Sequence, residues 1–197
     1  TYAAALALVE GANHVTVLVL CHSDDSNKPE PSIELLSSYG IEIICLNNYS
    51  FRERRSWSLF RGLRAISFDS RKILYGHKLR KPVEKIVERL RPDVIFAYHW
   101  DAISAIQGLD SCPIFGAVGD PLHLPLVLRN SIFVRSSGIT KIKALIKSLY
   151  FKYIVVPSLC KLEYNLLRGC SVSGAFAAHH AKMYRERGLD CRYLHTP

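Results

Sequence analysis

The stretch Arg91-Pro92-Asp93-Val94-Ile95-Phe96-Ala97-Tyr98-His99-Trp100 decides how the chain is read. Pro92 has no backbone N–H, and it disfavours helical angles at the residue before it, so a helix leading into Arg91 must stop there. Val94 to Ala97 is then a continuous apolar run with two β-branched residues. A strand covered on both faces of a parallel sheet has this composition. The run ends in the polar and aromatic cluster Tyr98-His99-Trp100-Asp101. Ligands of open α/β sheets bind at the carboxyl ends of the strands. One short segment thus predicts a helix stop, a central strand and a candidate site.

The same alternation continues outward in both directions. Upstream, residues 3–11 read as a helix closed by Gly11, residues 14–21 as a buried strand, residues 32–40 as a short helix closed at Tyr39-Gly40, and residues 41–46 as a second strand. Trp57, Phe60, Leu63, Arg64 and Phe68 predict an amphipathic helix; Leu79, Val83, Ile86, Val87 and Leu90, three and four apart, predict a clearer one. Downstream, a helix over 101–109 leads to a strand over 113–118 and the polar turn Gly119–Pro125. Helices are expected over 126–135 and 140–151, a strand over Tyr153–Ser158, a helix over 159–168, a short strand over 172–178, a helix over 179–187 and a last strand over 191–194. Strands and helices alternate about seven times without long gaps. That pattern predicts an α/β, Rossmann-like, doubly wound and mainly parallel sheet of about seven strands, with helices on both faces. The whole chain, 1–197, reads as one domain with no internal boundary. It opens on a helix where a strand is usual, so a first strand is expected upstream of Thr1.

Composition narrows the class. The chain is 49% hydrophobic and 10% aromatic, enough for a sizeable core and against disorder. No run of 18 or more apolar residues is present, so no membrane-spanning helix is expected, and no signal peptide is visible. The six cysteines include no CxxC pair and fall mostly in strand-like runs. They are expected as reduced core thiols, which points to the cytoplasm. Net charge is +9, and residues 52–91 carry all of it, with thirteen Lys/Arg against four Asp/Glu. Such a segment suits an anionic partner.

The common catalytic signatures are absent. The sequence has no GxxxxGK[ST], no GxGxxG after a strand, no GxSxG and no HExxH. No Cys/His set has zinc spacing, and the adjacent His179 and His180 point in different directions on a helix, so no metal site is expected. What remains is a series of polar clusters after apolar strands: His22, Asn47-Asn48, Tyr98-His99-Trp100-Asp101, Gly119-Asp120 with His123, and Ser158. Parallel strands would bring them to one edge. His99 and His123 are candidates for general base or hydrogen-bond donor, because imidazole titrates near neutral pH. Asp120 is a candidate for orienting a histidine or accepting from a sugar hydroxyl, and Arg129 for holding a phosphate.

The order of these pieces resembles a known family. A His-Val-Thr-Val-Leu strand is followed by Gly-Ile-Glu-Ile, a long helical insert, the Arg-Pro-Asp-Val-Ile-Phe-Ala-Tyr-His-Trp stretch, Pro-Ile-Phe-Gly-Ala-Val-Gly-Asp-Pro, Tyr-Ile-Val-Val-Pro-Ser and a helix ending Leu-Leu-Arg-Gly. Across nearly the whole chain this is similar to the N-terminal domain of retaining GT-B glycosyltransferases of the group 1, family 4 type. The resemblance implies an acceptor-binding Rossmann-like domain whose donor-binding partner domain lies beyond Pro197. It implies a nucleotide-sugar donor, a glycan, lipid-linked or phosphorylated acceptor, no cofactor and no obligatory metal. It places His99 and Asp120 at the catalytic positions; the other residues that follow the strands, His22, Tyr98, Trp100, His123 and Ser158, together with Arg129, are then the candidates for substrate binding. Basic residues Arg54, Arg55, Arg61 and Arg64, with Trp57, would then contact an anionic membrane at its inner face. The alternatives are a non-enzymatic α/β module that binds an anionic partner through the basic segment, and another GT-B enzyme such as a nucleotide-sugar epimerase. Nucleic acid is disfavoured, because aromatics are not interleaved with the basic residues. After Gly169 the chain departs from the family pattern, with an extra strand and helix over 171–188.

Overall fold

The computed structural model describes residues 14–21, 31–47, 74, 76–125, 127–128 and 148–194. The chain divides into two compact units, Thr1–Ser56 and Trp57–Pro197.

The first unit is a βαβ element. Strand β1 (Thr16–Cys21) and strand β2 (Glu42–Asn47) pair in parallel, from Thr16 opposite Glu42 to Cys21 opposite Asn47. Helix α1 (Pro31–Ser38) links them. Gly40 ends it at φ 76°, a left-handed angle that only glycine adopts freely. The Ile41 N–H then donates back to the Leu36 carbonyl, and the Ile41 side chain is buried. Thr16 Oγ1 donates to Glu42 Oε2 across the strand pair at 3.1 Å.

The second unit is built on four parallel strands in consecutive order: β3 (Ile95–Tyr98), β4 (Ile114–Val118), β5 (Val172–Ala175) and β6 (Cys191–Tyr193). Helix α2 (Gly76–Leu90) precedes β3 and buries Leu79, Val83 and Val87, the stripe expected from its spacing. Its last turn gives way to Arg91 at φ 48°, followed by Pro92. Helix α3 (His99–Ala105) follows β3 at once and packs against α2. Gly76 marks the close approach: its N–H donates to Asp101 Oδ1 at 3.1 Å, and a Cβ there would collide with the Asp101 backbone carbonyl.

Strand alternation sorts the sheet residues onto two faces. Ala97, Ile114, Val118, Ala175 and Cys191 are buried on one face. Helices α3, α4 (Val156–Arg168) and α5 (Ala178–Glu186) join on a common core beside them. Trp100 of α3 stands edge-on to Tyr184 of α5, with ring centroids 6.4 Å apart, and Tyr184 reaches Glu163 of α4. The other face carries Phe96, stacked on Phe115 at 5.2 Å, and Tyr98, edge-on to Phe176 at 5.6 Å.

One predicted strand is a helix. Tyr153–Ser158 forms the end of a π-helical turn, Phe151–Val155, that runs straight into α4. An apolar β-branched run of this length fits a buried strand or a helix face equally well. Exposure separates them: Tyr153 is 64% exposed and Val155 4%. Pro157 sits in the first turn of α4, where no N–H is needed. The described residues therefore hold six strands, in a two-stranded and a four-stranded parallel sheet, and the expected seventh at 153–158 is absent.

Candidate functional site at the carboxyl edge of the sheet

Strand β3 turns into α3 with no intervening loop. Tyr98 is still extended, at φ −99° and ψ 127°, and His99 is at φ 77°. A residue with a Cβ is strained there. The same backbone device, a sharp strand-to-helix turn with a strained tip, presents the nucleophile in α/β-hydrolases. Strain of this kind persists only where the surrounding structure enforces it. Here the enforcement is visible. Trp100, one residue on, is 1% exposed, and its indole Nε1–H donates to the Asp120 carbonyl at 2.8 Å. The bond ties the tip of β3 to the tip of β4 and leaves the His99 side chain exposed. Trp100 is thus a core residue that holds the two tips together and offers no ring face to a ligand.

Asp120 follows β4, and its side chain is 73% exposed. His180, near the start of α5, brings Nδ1 to 3.9 Å from Asp120 Oδ1. The His180 side chain is only 6% exposed, and its Nδ1 has no hydrogen-bond partner. The ring of His179 lies 3.9 Å from it. Burial, reinforced by His179, holds His180 below the usual imidazole range, and Asp120 opposes that shift. The edge therefore gathers His99, Asp120, His179 and His180 from the ends of three neighbouring strands. Sequence reading considered the two histidines only as metal ligands. Their placement directly after an apolar strand was the signal that could have added them to this set.

His123 belongs to a second, buried cluster. Its backbone N–H donates to Glu163 Oε1 at 3.0 Å, and its Nδ1 lies 2.9 Å from the same oxygen. Glu163 is fully buried, and the Tyr184 hydroxyl donates to its Oε2 at 3.4 Å. Cys160 and Glu163 are one turn apart on α4 and share a face. Cys160 Sγ lies 3.6 Å from His123 Nδ1. Burial raises the Cys160 thiol above its ordinary value against the pull of Arg187, and burial beside Glu163 pushes the Tyr184 phenol far up. Imidazole, thiol and carboxylate are groups that can hold a metal ion together.

The remaining candidates divide. Tyr98 is 41% exposed at the same edge. Ser158 does not end a strand; it lies in α4 and its Oγ donates to the Ile154 carbonyl at 2.7 Å, so its expected place at the sheet edge is corrected. His22, Arg129, Arg54, Arg55, Trp57, Arg61 and Arg64 lie outside the described residues, as do the helix over 3–11 and the first basic helix. A surface depression of about 630 Å³, lined by Val87, Arg91, Asp93 and Cys112 among others, opens at the amino end of β3 and β4, away from these histidines. No helix among the described residues is long and apolar enough to cross a membrane. Comparison with protein-family models, curated proteins and solved structures finds no match to this chain.

Proposed function

We propose that this chain is the acceptor-binding half of a GT-B glycosyltransferase, acting on the cytoplasmic side and transferring a sugar from a nucleotide-sugar to a glycan, lipid-linked or phosphorylated acceptor. The observation that carries the reading is the strained His99 elbow beside Asp120 at the carboxyl edge of a consecutive parallel sheet. On this reading the sheet is the doubly wound Rossmann-like type, and the Phe96, Phe115, Tyr98 and Phe176 face also receives a helical layer, since parallel sheets are covered on both sides. The acceptor hydroxyl lies at the edge. His99 takes or holds its proton as the new glycosidic bond forms and the bond from sugar to nucleotide phosphate breaks. Asp120 accepts from a neighbouring sugar hydroxyl, and His180 Nδ1 stands 3.9 Å from its carboxylate. Donor contacts come from a second domain. No metal or cofactor is required by these residues for that step.

The test uses the product of the full gene. It is incubated with a panel of nucleotide-sugars, and nucleotide release is measured with and without lipid and glycan acceptors. Acceptor-dependent release is expected for at least one donor. His99→Ala and Asp120→Ala should each slow it by about 10²–10⁴, the usual contribution of a positioned acid or base. Turnover by His99→Ala at the unaltered rate, or no release with any donor, would overturn the proposal.

A further inference from the structure

The buried cluster on α4 has a geometry that the transferase reading does not use. His123 Nδ1 lies 2.9 and 3.2 Å from the two oxygens of Glu163 and 3.6 Å from Cys160 Sγ. A Cys–His–acid proton relay places thiol and carboxylate on opposite ring nitrogens. Here both address the same nitrogen, so the group is not a relay. The three donor atoms face one another instead, all within 4.8 Å. Around a tetrahedral zinc ion, with bonds of about 2.0–2.1 Å to nitrogen or oxygen and about 2.3 Å to sulfur, neighbouring donors lie about 3.3–3.6 Å apart. We propose that His123, Cys160 and Glu163 bind one divalent transition-metal ion of the zinc type, with the fourth position left to solvent.

Three further features favour an ion over a simple buried pair. The donor set is mixed nitrogen, sulfur and carboxylate oxygen, which suits zinc-like ions and disfavours magnesium and calcium. The carboxylate is oriented before binding, by the His123 backbone N–H and the Tyr184 hydroxyl, as second-shell groups orient metal ligands elsewhere. Access is one-sided: Glu163 is fully buried, while the His123 side chain is 15% exposed and Cys160 is half-buried. On loading, the ring proton occupies Nε2, the thiol releases its proton to solvent, and Nδ1, Sγ and a Glu163 oxygen bind the ion.

The untagged 197-residue chain, stripped with a chelator, is titrated with Co²⁺ and then with Zn²⁺. Saturation at one equivalent, with a thiolate-to-cobalt charge-transfer band that Zn²⁺ removes, is the expected result. Cys160→Ser should abolish the band and weaken Zn²⁺ by about tenfold or more against a chromophoric chelator, whereas Cys170→Ser should match the unaltered chain. X-ray absorption of the zinc-loaded, unaltered chain should show a single sulfur neighbour, a readout independent of whether any variant folds. Absence of saturable binding, a band that survives Cys160→Ser, or a sulfur count other than one would overturn the site.

Discussion

His99 gives the sharpest prediction, because strain reverses an ordinary rule. At a helical position glycine is less stable than alanine by about 0.8–1.0 kcal/mol. His99 opens α3 at φ 77°, where any residue with a Cβ carries about 1–2 kcal/mol of left-handed strain. His99→Gly removes that strain. The extra freedom of glycine in the unfolded chain offsets about 0.4–1 kcal/mol of the gain. His99→Ala keeps the strain, and little packing is lost in either variant because the side chain is exposed. His99→Gly should therefore be more stable than His99→Ala by about 1 kcal/mol. For a chain of this size that is about 2–4 °C in Tm. Asn visits left-handed angles more readily than most residues, so His99→Asn should fall between. The assay is thermal unfolding of the three variants side by side, followed by circular dichroism. If His99→Gly melts below His99→Ala, the elbow is not strained and the inference from its backbone to a functional tip fails.

Other outcomes follow from the buried polar groups and the thiols. Glu163→Ala leaves the His123 backbone N–H and the Tyr184 hydroxyl without their acceptor and should cost about 1–3 kcal/mol for each buried donor left unsatisfied, read by urea unfolding; Glu163→Gln keeps an acceptor and should cost clearly less. Trp100→Phe removes the Nε1–H that satisfies the Asp120 carbonyl, a loss of about 1–3 kcal/mol and about 2–12 °C in Tm. Burial pushes the Cys170 thiol up to about 11, so near neutral pH it stays protonated while Cys45 is exposed. Mass-spectrometric mapping of iodoacetamide labelling at pH 8 should find Cys45 modified well before Cys170, with Cys170 labelling accelerating as pH rises toward 11; equal rates at pH 8 would contradict this burial.

The sequence was most informative where neighbouring residues carried the signal. Pro92 and the apolar run after it predicted the stop at Arg91 and strand β3, but not that this strand is buried on one side only, with Ala97 covered and Phe96 and Tyr98 exposed; the spacing of Leu79, Val83 and Val87 predicted the buried face of α2. These are local consequences of a missing N–H and of the periods 3.6 and 2. The run Tyr153–Ser158 defeated the same reasoning, because a short β-branched stretch is periodic in neither sense and its partners decide its form. The site divides in the same way. His99 and Asp120 could be found as the residues that follow apolar strands. Nothing in the sequence, however, joins His180 to Asp120 sixty positions earlier, or His123 to Cys160 and Glu163. Those meetings depend on β4 lying beside β5 and on α3, α4 and α5 sharing one core. The order of strands in the sheet sets that arrangement, and it is a property of the folded chain that no local pattern carries.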